Sequence, residues 1–456
     1  MTPSSHFSRA LRAMCAALAL GALAAPAYAD DSGGIIRDAE IESTLRAYVD
    51  PLFVAAGLDP KQIQVHIIED KTLNAFVADG QNMFINTGLI MAAQNPNQLK
   101  GVMAHETGHI AGGHQVRSRA AMGHASAPAL VSIGLGVLAM AAGAPDAGAA
   151  LITGSGSFAQ GSFFIYSKVL ESTADQDAVT YMDATHQSAE GLLDFFENFR
   201  TQELFTEQRR DPFFRSHPLS SERIQALRER ADHAKYKDAK DSPADIERFK
   251  MMQAKLYGYL ESPGRTFAKY PPSDLSLPAR YARAFAAYRT PDLTAASKET
   301  QALIALQPNN PYFQELMGQI LYESGHAVES LPYCRKSLAL APSSVLLRVN
   351  LGRSLAATKK AADTAEAINV LQQATAQEPD NPYAWQELAN AYDATKQDGM
   401  ARLASAEQNF ALGNYPLALN FAQRAKKTLP EGSTSWRRAS DIALVAETEA
   451  RGQRKS

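Results

Sequence analysis

Two short runs, Ile63-Gln64-Val65-His66-Ile67-Ile68 and Met83-Phe84-Ile85-Asn86, have the apolar and polar texture of β-strands. The second follows the turn signal Asp79-Gly80, and Asn74-Ala75-Phe76-Val77 lies between the two. Pro96-Asn97 then opens a helix that carries Leu99, Val102 and Met103 on its apolar side. Mixed helices and strands are therefore expected up to about Gly123. Residues 125–165 are rich in Ala, Gly and Ser, with apolar stretches at 127–144 and 147–165 broken by Pro145-Asp146. Three readings of that segment stand: a membrane-spanning hairpin, a helical flap near an active site that touches membrane or substrate, and plain core helices. Arg117, Arg119 and Lys168 flank it on the export side, which opposes the spanning reading.

From about Pro263 the pattern repeats. Pro308, Pro342, Pro379 and Pro430 each follow an Ala/Leu-rich helical stretch, at spacings of 34, 37 and 51 residues. The first spacing is the period of the tetratricopeptide repeat (TPR). Gly318, Ser330, Cys334 and Ser337 fall at the small positions where paired helices approach closely, and Trp385, Leu388, Ala389 and Tyr392 reproduce the opening of a repeat. An all-α TPR solenoid is expected over 263–456, with a generic helical bundle as the alternative.

Residues 1–29 stand apart from the fold. Arg9 and Arg12 precede an apolar run at 14–24, and Ala27-Tyr28-Ala29 gives a cleavage signature before Asp30, as in a secretory leader. The run is shorter than the ~20 residues a spanning helix needs. Export to the periplasm, with cleavage after Ala29, is the expectation. Of the two cysteines, Cys15 lies in the leader, so only Cys334 remains in the mature chain and no internal disulfide can form. The whole chain, 456 residues long, has a formal charge of −3, which removal of the two leader arginines takes to −5. No basic excess is present to neutralise phosphates, which argues against nucleic acid as a partner.

The chemistry is concentrated in His105-Glu106-Thr107-Gly108-His109. Residues at i and i+4 share a helical face, so two imidazoles can bind one Zn²⁺, while Glu106, turned by about 100°, can take a proton from a water there. A third ligand is needed. The metzincin pattern would require His at 115, where Gln115 stands. His114 is turned off the metal face and reads as a structural or ligand-supporting residue. Glu171, four residues before Asp175 on the next helical stretch, is the better third ligand, with Asp175 placed to orient a ligand histidine through its free ring N–H.

Asn74-Ala75-Phe76, Asn86-Thr87-Gly88-Leu89, Ala104 to His109 and Glu171-x-x-Ala174-Asp175 resemble the zinc peptidase family of the CAAX prenyl proteases and heat-shock membrane proteases. The leader and TPR tail make the chain similar to the soluble periplasmic branch of that family. The resemblance implies an α+β gluzincin-like metalloprotease domain over 30–262, one zinc per chain held by His105, His109 and Glu171, and Glu106 as catalytic base. It also implies work on outer-membrane β-barrel proteins: helping precursors mature, degrading stalled ones, and meeting the assembly machinery through the TPR domain.

Ser216-His217-Pro218 before Arg223 also resembles a family segment, which implies His217 as a fourth ligand that latches the site. His217 as an oxyanion donor, or as a simple loop residue before a helix capped by Ser220, are the competing readings. Arg223 is a candidate for binding substrate or for a surface salt bridge. The strand at Met83–Asn86, with Phe84, is a candidate edge that accepts an extended substrate. Two other functions remain in view: a TPR-based assembly chaperone with a latent or vestigial protease site, and a TPR scaffold with purely structural zinc.

Overall fold

The computed structural model describes residues 34–453, apart from 79, 119–166, 202–208 and 210. The leader expected at 1–29 and the apolar segment at 125–165 lie outside the described residues. Among those described, no helix is long and apolar enough to cross a membrane.

The N-terminal part is α+β. Helix α1 (Ala39–Ala55) begins where the Asp38 side chain accepts hydrogen bonds from the backbone N–H groups of Glu40 and Ile41. Ile41, Leu45, Tyr48, Val49, Leu52 and Phe53 recur at helical spacing and are all buried. They pack on one face of a four-stranded sheet built from β1 (Ile35–Ile36), β2 (Gln64–Ile68), β3 (Ala75–Ala78) and β4 (Asn82–Asn86).

The sheet order is β1-β2-β4-β3. β4 runs parallel to β2, with Ile67 beside Ile85, and antiparallel to β3, with Phe76 beside Phe84. The strand expected at Met83–Asn86 exists, but it is an inner strand and not an edge. Both of its backbone edges are paired, so it cannot accept a further strand. Phe84 is stacked between Phe76 and His66, with ring centroids 5.0 and 4.8 Å away. Among the described residues, the outer strands are the two-residue β1 and, on the other side, β3. Gln115 donates from Nε2 to the Val77 carbonyl at 2.8 Å and accepts from Gly80 N–H at 3.0 Å, so its side chain covers part of that edge.

After the sheet come α2 (Thr87–Ala92), α3 (Pro96–Ala111), α4 (residues 167–184), α5 (Glu190–Asn198), α6 (Pro212–Ser216) and α7 (Ser221–Asp232). Leu99, Val102, Met103, Leu192, Phe195, Phe196, Phe213 and Phe214 join the same core as α1. Helix α8 (Pro243–Leu260) has two inward faces. Phe249, Met252 and Leu256 enter this core, whereas Met251 packs with Tyr281, Phe285 and Phe313 of the helices that follow.

The remainder is an α-solenoid of helix pairs, among them Pro311–Glu323 with Ala327–Leu340 and Val345–Ala357 with Ala361–Gln377. Small residues set the spacing. A Cβ on Gly318 would lie 2.7 Å from the Cys334 Sγ, and one on Gly352 would lie 2.5 Å from Leu371 Cγ. Cys334 is a buried free thiol.

The two parts meet through buried charge as well as apolar contact. Lys255 on α8 is 5% exposed, and its Nζ lies 2.7 Å from Asp38 Oδ2 and 3.2 Å from Glu40 Oε2. Tyr281 OH donates to the same Glu40 oxygen at 2.6 Å. Sequence reading gave no sign of this cluster, because its members are polar residues scattered over more than two hundred positions.

Candidate metal centre

Helix α3 starts at Asn95, whose side chain accepts from Gln98 N–H, with Pro96 preset for the first turn. Four residues apart on this helix, His105 and His109 bring their Nε2 atoms within 3.1 Å of each other. Helix α4 crosses closely alongside. A Cβ on Gly108 would lie 3.0 Å from Ala174 Cα and 3.1 Å from the Ala174 carbonyl oxygen, so glycine and alanine together let the backbones approach. This approach brings Glu171 to the histidines: Oε2 is 3.4 Å from His105 Nε2, and Oε1 is 3.4 Å from His109 Nε2.

His217 completes the group from the end of α6. Its Nδ1 lies 3.2 Å from His105 Nε2 and 2.9 Å from Glu171 Oε2. Its backbone N–H donates to the Phe213 carbonyl at 2.8 Å, and its ring rests on Phe213 with centroids 4.7 Å apart. One donor atom from each of His105, His109, Glu171 and His217 lies within 4.8 Å of all the others. Donors bound at about 2.0–2.2 Å around one tetrahedral metal stand about 3.3–3.5 Å apart; the two Glu171–histidine separations of 3.4 Å match this, and the others, at 2.9–3.2 Å, are somewhat shorter.

The electrostatics favour a cation at the same point. Burial pulls His105 toward its neutral form, but the Asp175 and Glu171 carboxylates outweigh it and raise its pKa to about 9. Burial and the positive His105 beside it push His109 well below the ordinary histidine value. Burial opposes ionisation of Glu171, yet His217, Arg223 and the histidine hydrogen bonds hold it well below the usual carboxylate range. A proton shared among crowded ring nitrogens is what a divalent ion would replace.

Glu106, 1% exposed, lies at the margin of the group. Its Oε1 is 3.4 Å from His217 Nε2 and has no hydrogen-bond partner among the described residues. Burial raises its pKa, against the pull of His217 and His105. An enclosed carboxylate oxygen beside the cluster is chemically able to accept a proton.

Asp175 and Arg223 lie behind the clustered side chains. Asp175 Oδ1 is 3.0 Å from His105 Nδ1, off the straight line of a good hydrogen bond. Arg223 reaches from α7 to grip Asp175 through both Nε and Nη2, the latter at 2.8 Å. Its Nη1 sits 3.1 Å from Glu171 Oε2 and donates to the Pro218 carbonyl at 3.0 Å. Arg223 was expected to meet substrate or to form a surface ion pair. Instead it is 8% exposed, with every guanidinium nitrogen engaged, and it braces the carboxylates. Phe84, tied into the sheet, is not one of the clustered residues. Phe213 and Phe196, whose rings pack on His105, were not anticipated. Their only trace in the sequence is that Phe213-Phe214 closely precedes Ser216-His217.

A helix bearing His-Glu-x-x-His, a carboxylate delivered by the next helix and an α+β core define a metalloprotease domain, here joined to a TPR region. Residues 37–231 match the model of peptidase family M48, and residues 360–402 match a tetratricopeptide repeat model. The chain is 25% identical over 378 residues to the β-barrel assembly-enhancing protease of Escherichia coli (strain K12), covering 80% of this chain and 75% of that protein. It is 23% identical over 373 residues to the protein of the same description from Yersinia pestis, covering 81% and 75%. Against metalloprotease YcaL of Escherichia coli (strain K12) it is 29% identical over 180 residues, which is 38% of this chain and 62% of the relative.

Proposed function

We propose that this protein is a periplasmic zinc endopeptidase of outer-membrane β-barrel assembly, degrading misassembled precursors and assisting the maturation of others. The leader at 1–29 supports export, and the similarity to the assembly-enhancing proteases supports the pathway. The unit over 30–262 carries the chemistry and that over 263–456 the contacts with substrate or assembly partners.

The observation that carries the enzymatic reading is the convergence of His105, His109, Glu171 and His217 donor atoms beside the unpartnered Glu106 oxygen. Two imidazoles and one carboxylate suit Zn²⁺ and leave a fourth position for water. His105, His109 and Glu171 would hold the ion, which when bound supplies Lewis acidity to water and to a peptide carbonyl. Glu106 accepts the proton of the attacking water and returns it to the leaving amine. Asp175 and Arg223 keep His105 and Glu171 in place. An extended substrate enters along the outer edge of β3, where it must displace the Gln115 side chain from the Val77 carbonyl.

His217 gives the site a closed state. Its Nδ1 would take the fourth position on a bound ion, so His217 acts as a latch that must swing away before water and substrate enter. His217→Ala is expected to raise cleavage of an unfolded substrate such as casein, and reduced cleavage would favour the oxyanion-donor role. The closed position also favours a second reading, a TPR-based assembly chaperone with a latent protease site. Glu106→Gln separates the two: loss of cleavage together with loss of barrel assembly supports the peptidase, and intact assembly supports the chaperone.

A further inference from the structure

Each histidine of the metal helix has a different partner on its far ring nitrogen. His105 Nδ1 faces the Asp175 carboxylate. Among the described residues, no carboxylate meets the Nδ1 of His109. Its Nδ1 lies 3.0 Å from Nδ1 of His114, and the two rings meet edge to face with centroids 4.9 Å apart. We propose that His114 is a positioning residue for His109, accepting its Nδ1–H and so fixing the tautomer that leaves Nε2 free to bind metal. The proposal rests on the reading of His109 as a metal ligand.

The local backbone is shaped to deliver this ring. Gly112 caps α3, and a Cβ there would lie only 2.2 Å from His114 Nε2. Gly113 has φ +59°, a left-handed conformation that side chains disfavour. The turn folds the chain back, and the short helical stretch 114–118 begins with His114 beneath His109. His114 is 2% exposed, so water does not compete for the contact.

Proton placement follows from the distances. Two δ nitrogens 3.0 Å apart share one hydrogen. If His114 donated it, the proton of neutral His109 would sit on Nε2, facing His105 Nε2 at 3.1 Å and blocking ligation. If His109 donates it, His109 Nε2 carries a lone pair directed into the cluster. His114 then bears its own proton on Nε2, a buried atom with no hydrogen-bond partner among the described residues. That unmet donor is the cost of an arrangement that serves His109.

Two substitutions separate positioning from packing. In His114→Asn the side-chain oxygen can stand in for Nδ1 as acceptor, whereas His114→Leu fills space and accepts nothing. Zn²⁺ affinity of the full mature chain is measured by competition with a chromogenic chelator, alongside the visible spectrum of the Co²⁺ form and thermal unfolding of the metal-free protein. His114→Leu should lose about 10–100-fold in affinity and change the Co²⁺ spectrum, with His114→Asn within about threefold of wild type. Gly112→Ala, which displaces the ring and leaves its chemistry alone, should follow the leucine variant and serves in its place should that variant not fold. Wild-type affinity in His114→Leu or Gly112→Ala, or equal losses in the leucine and asparagine variants, would overturn the proposal. A wild-type protein that binds no Zn²⁺ overturns the underlying metal-site reading as well, which tight wild-type binding keeps separate.

Discussion

Arg223 on α7 grips Asp175 on α4, 48 residues earlier in the chain, and Asp175 Oδ1 lies 3.0 Å from the His105 ring. The pair ties α7 to α4 and, through the His105 ring, to α3. Removing the guanidinium leaves two enclosed carboxylates, Asp175 and Glu171, short of one counter-charge, with His105 as the cation between them. Arg223→Ala should therefore cost about 3–5 kcal/mol in urea unfolding of the metal-free protein. Arg223→Lys should recover part of this, because an ammonium supplies charge but cannot form the two-pronged contact.

The close crossing of α3 and α4 predicts an effect on metal affinity from a residue that binds nothing. Gly108→Ala places a methyl group 3.0 Å from Ala174 Cα, and the neighbouring helix must give by a few tenths of an ångström. Glu171 rides on that helix. Affinity for Zn²⁺ should fall several-fold in chelator competition, and Gly108→Val should reduce it further.

The solenoid offers a test of packing alone. Gly318→Ala aims its methyl at the Cys334 Sγ, 2.7 Å away, and overpacking of this kind costs about 1–3 kcal/mol. Cys334→Ala removes the sulfur and should restore most of the loss in the double variant, read by chemical unfolding. Additive losses would show that the two positions are not coupled.

At the junction of the two parts, three carboxyl groups surround one ammonium. Burial of the half-buried Glu315 pushes its pKa up to about 7, with Lys255 opposing and Asp38 and Glu40 reinforcing the shift. A raised pKa in the folded state means that the protonated form is favoured by folding. Its stabilisation is complete below the ordinary carboxylate range and is lost as pH rises through about 7. Thermal midpoints should decline between pH 5 and 8, and Glu315→Gln should flatten that decline.

How much of this was legible in the sequence depends on the range of the interaction. The helical spacing of His105 and His109, and of Glu171 and Asp175, follows from residues on single helices. The repeat prolines and the small residues Gly318 and Cys334 likewise report local pairing of neighbouring helices. Strand order is different. Met83–Asn86 reads as an edge in isolation, and only its parallel partner β2 shows it to be interior. Arg223 carries no mark that distinguishes a substrate contact from a buried brace, since its partners come from α4. The Lys255 cluster joins residues from α1, α8 and the solenoid, where no pattern along the chain connects them.

The central claim is a single metal ion held by His105, His109 and Glu171 with Glu106 as the base. Metal content and casein cleavage, measured together on the purified mature protein and its variants, test it most directly. The account predicts one Zn²⁺ per chain in the wild type, its loss in His105→Ala, His109→Ala and Glu171→Ala, and its retention in Glu106→Gln with cleavage abolished. Wild-type protein without stoichiometric metal, or a Glu106→Gln variant that still cleaves, would contradict it.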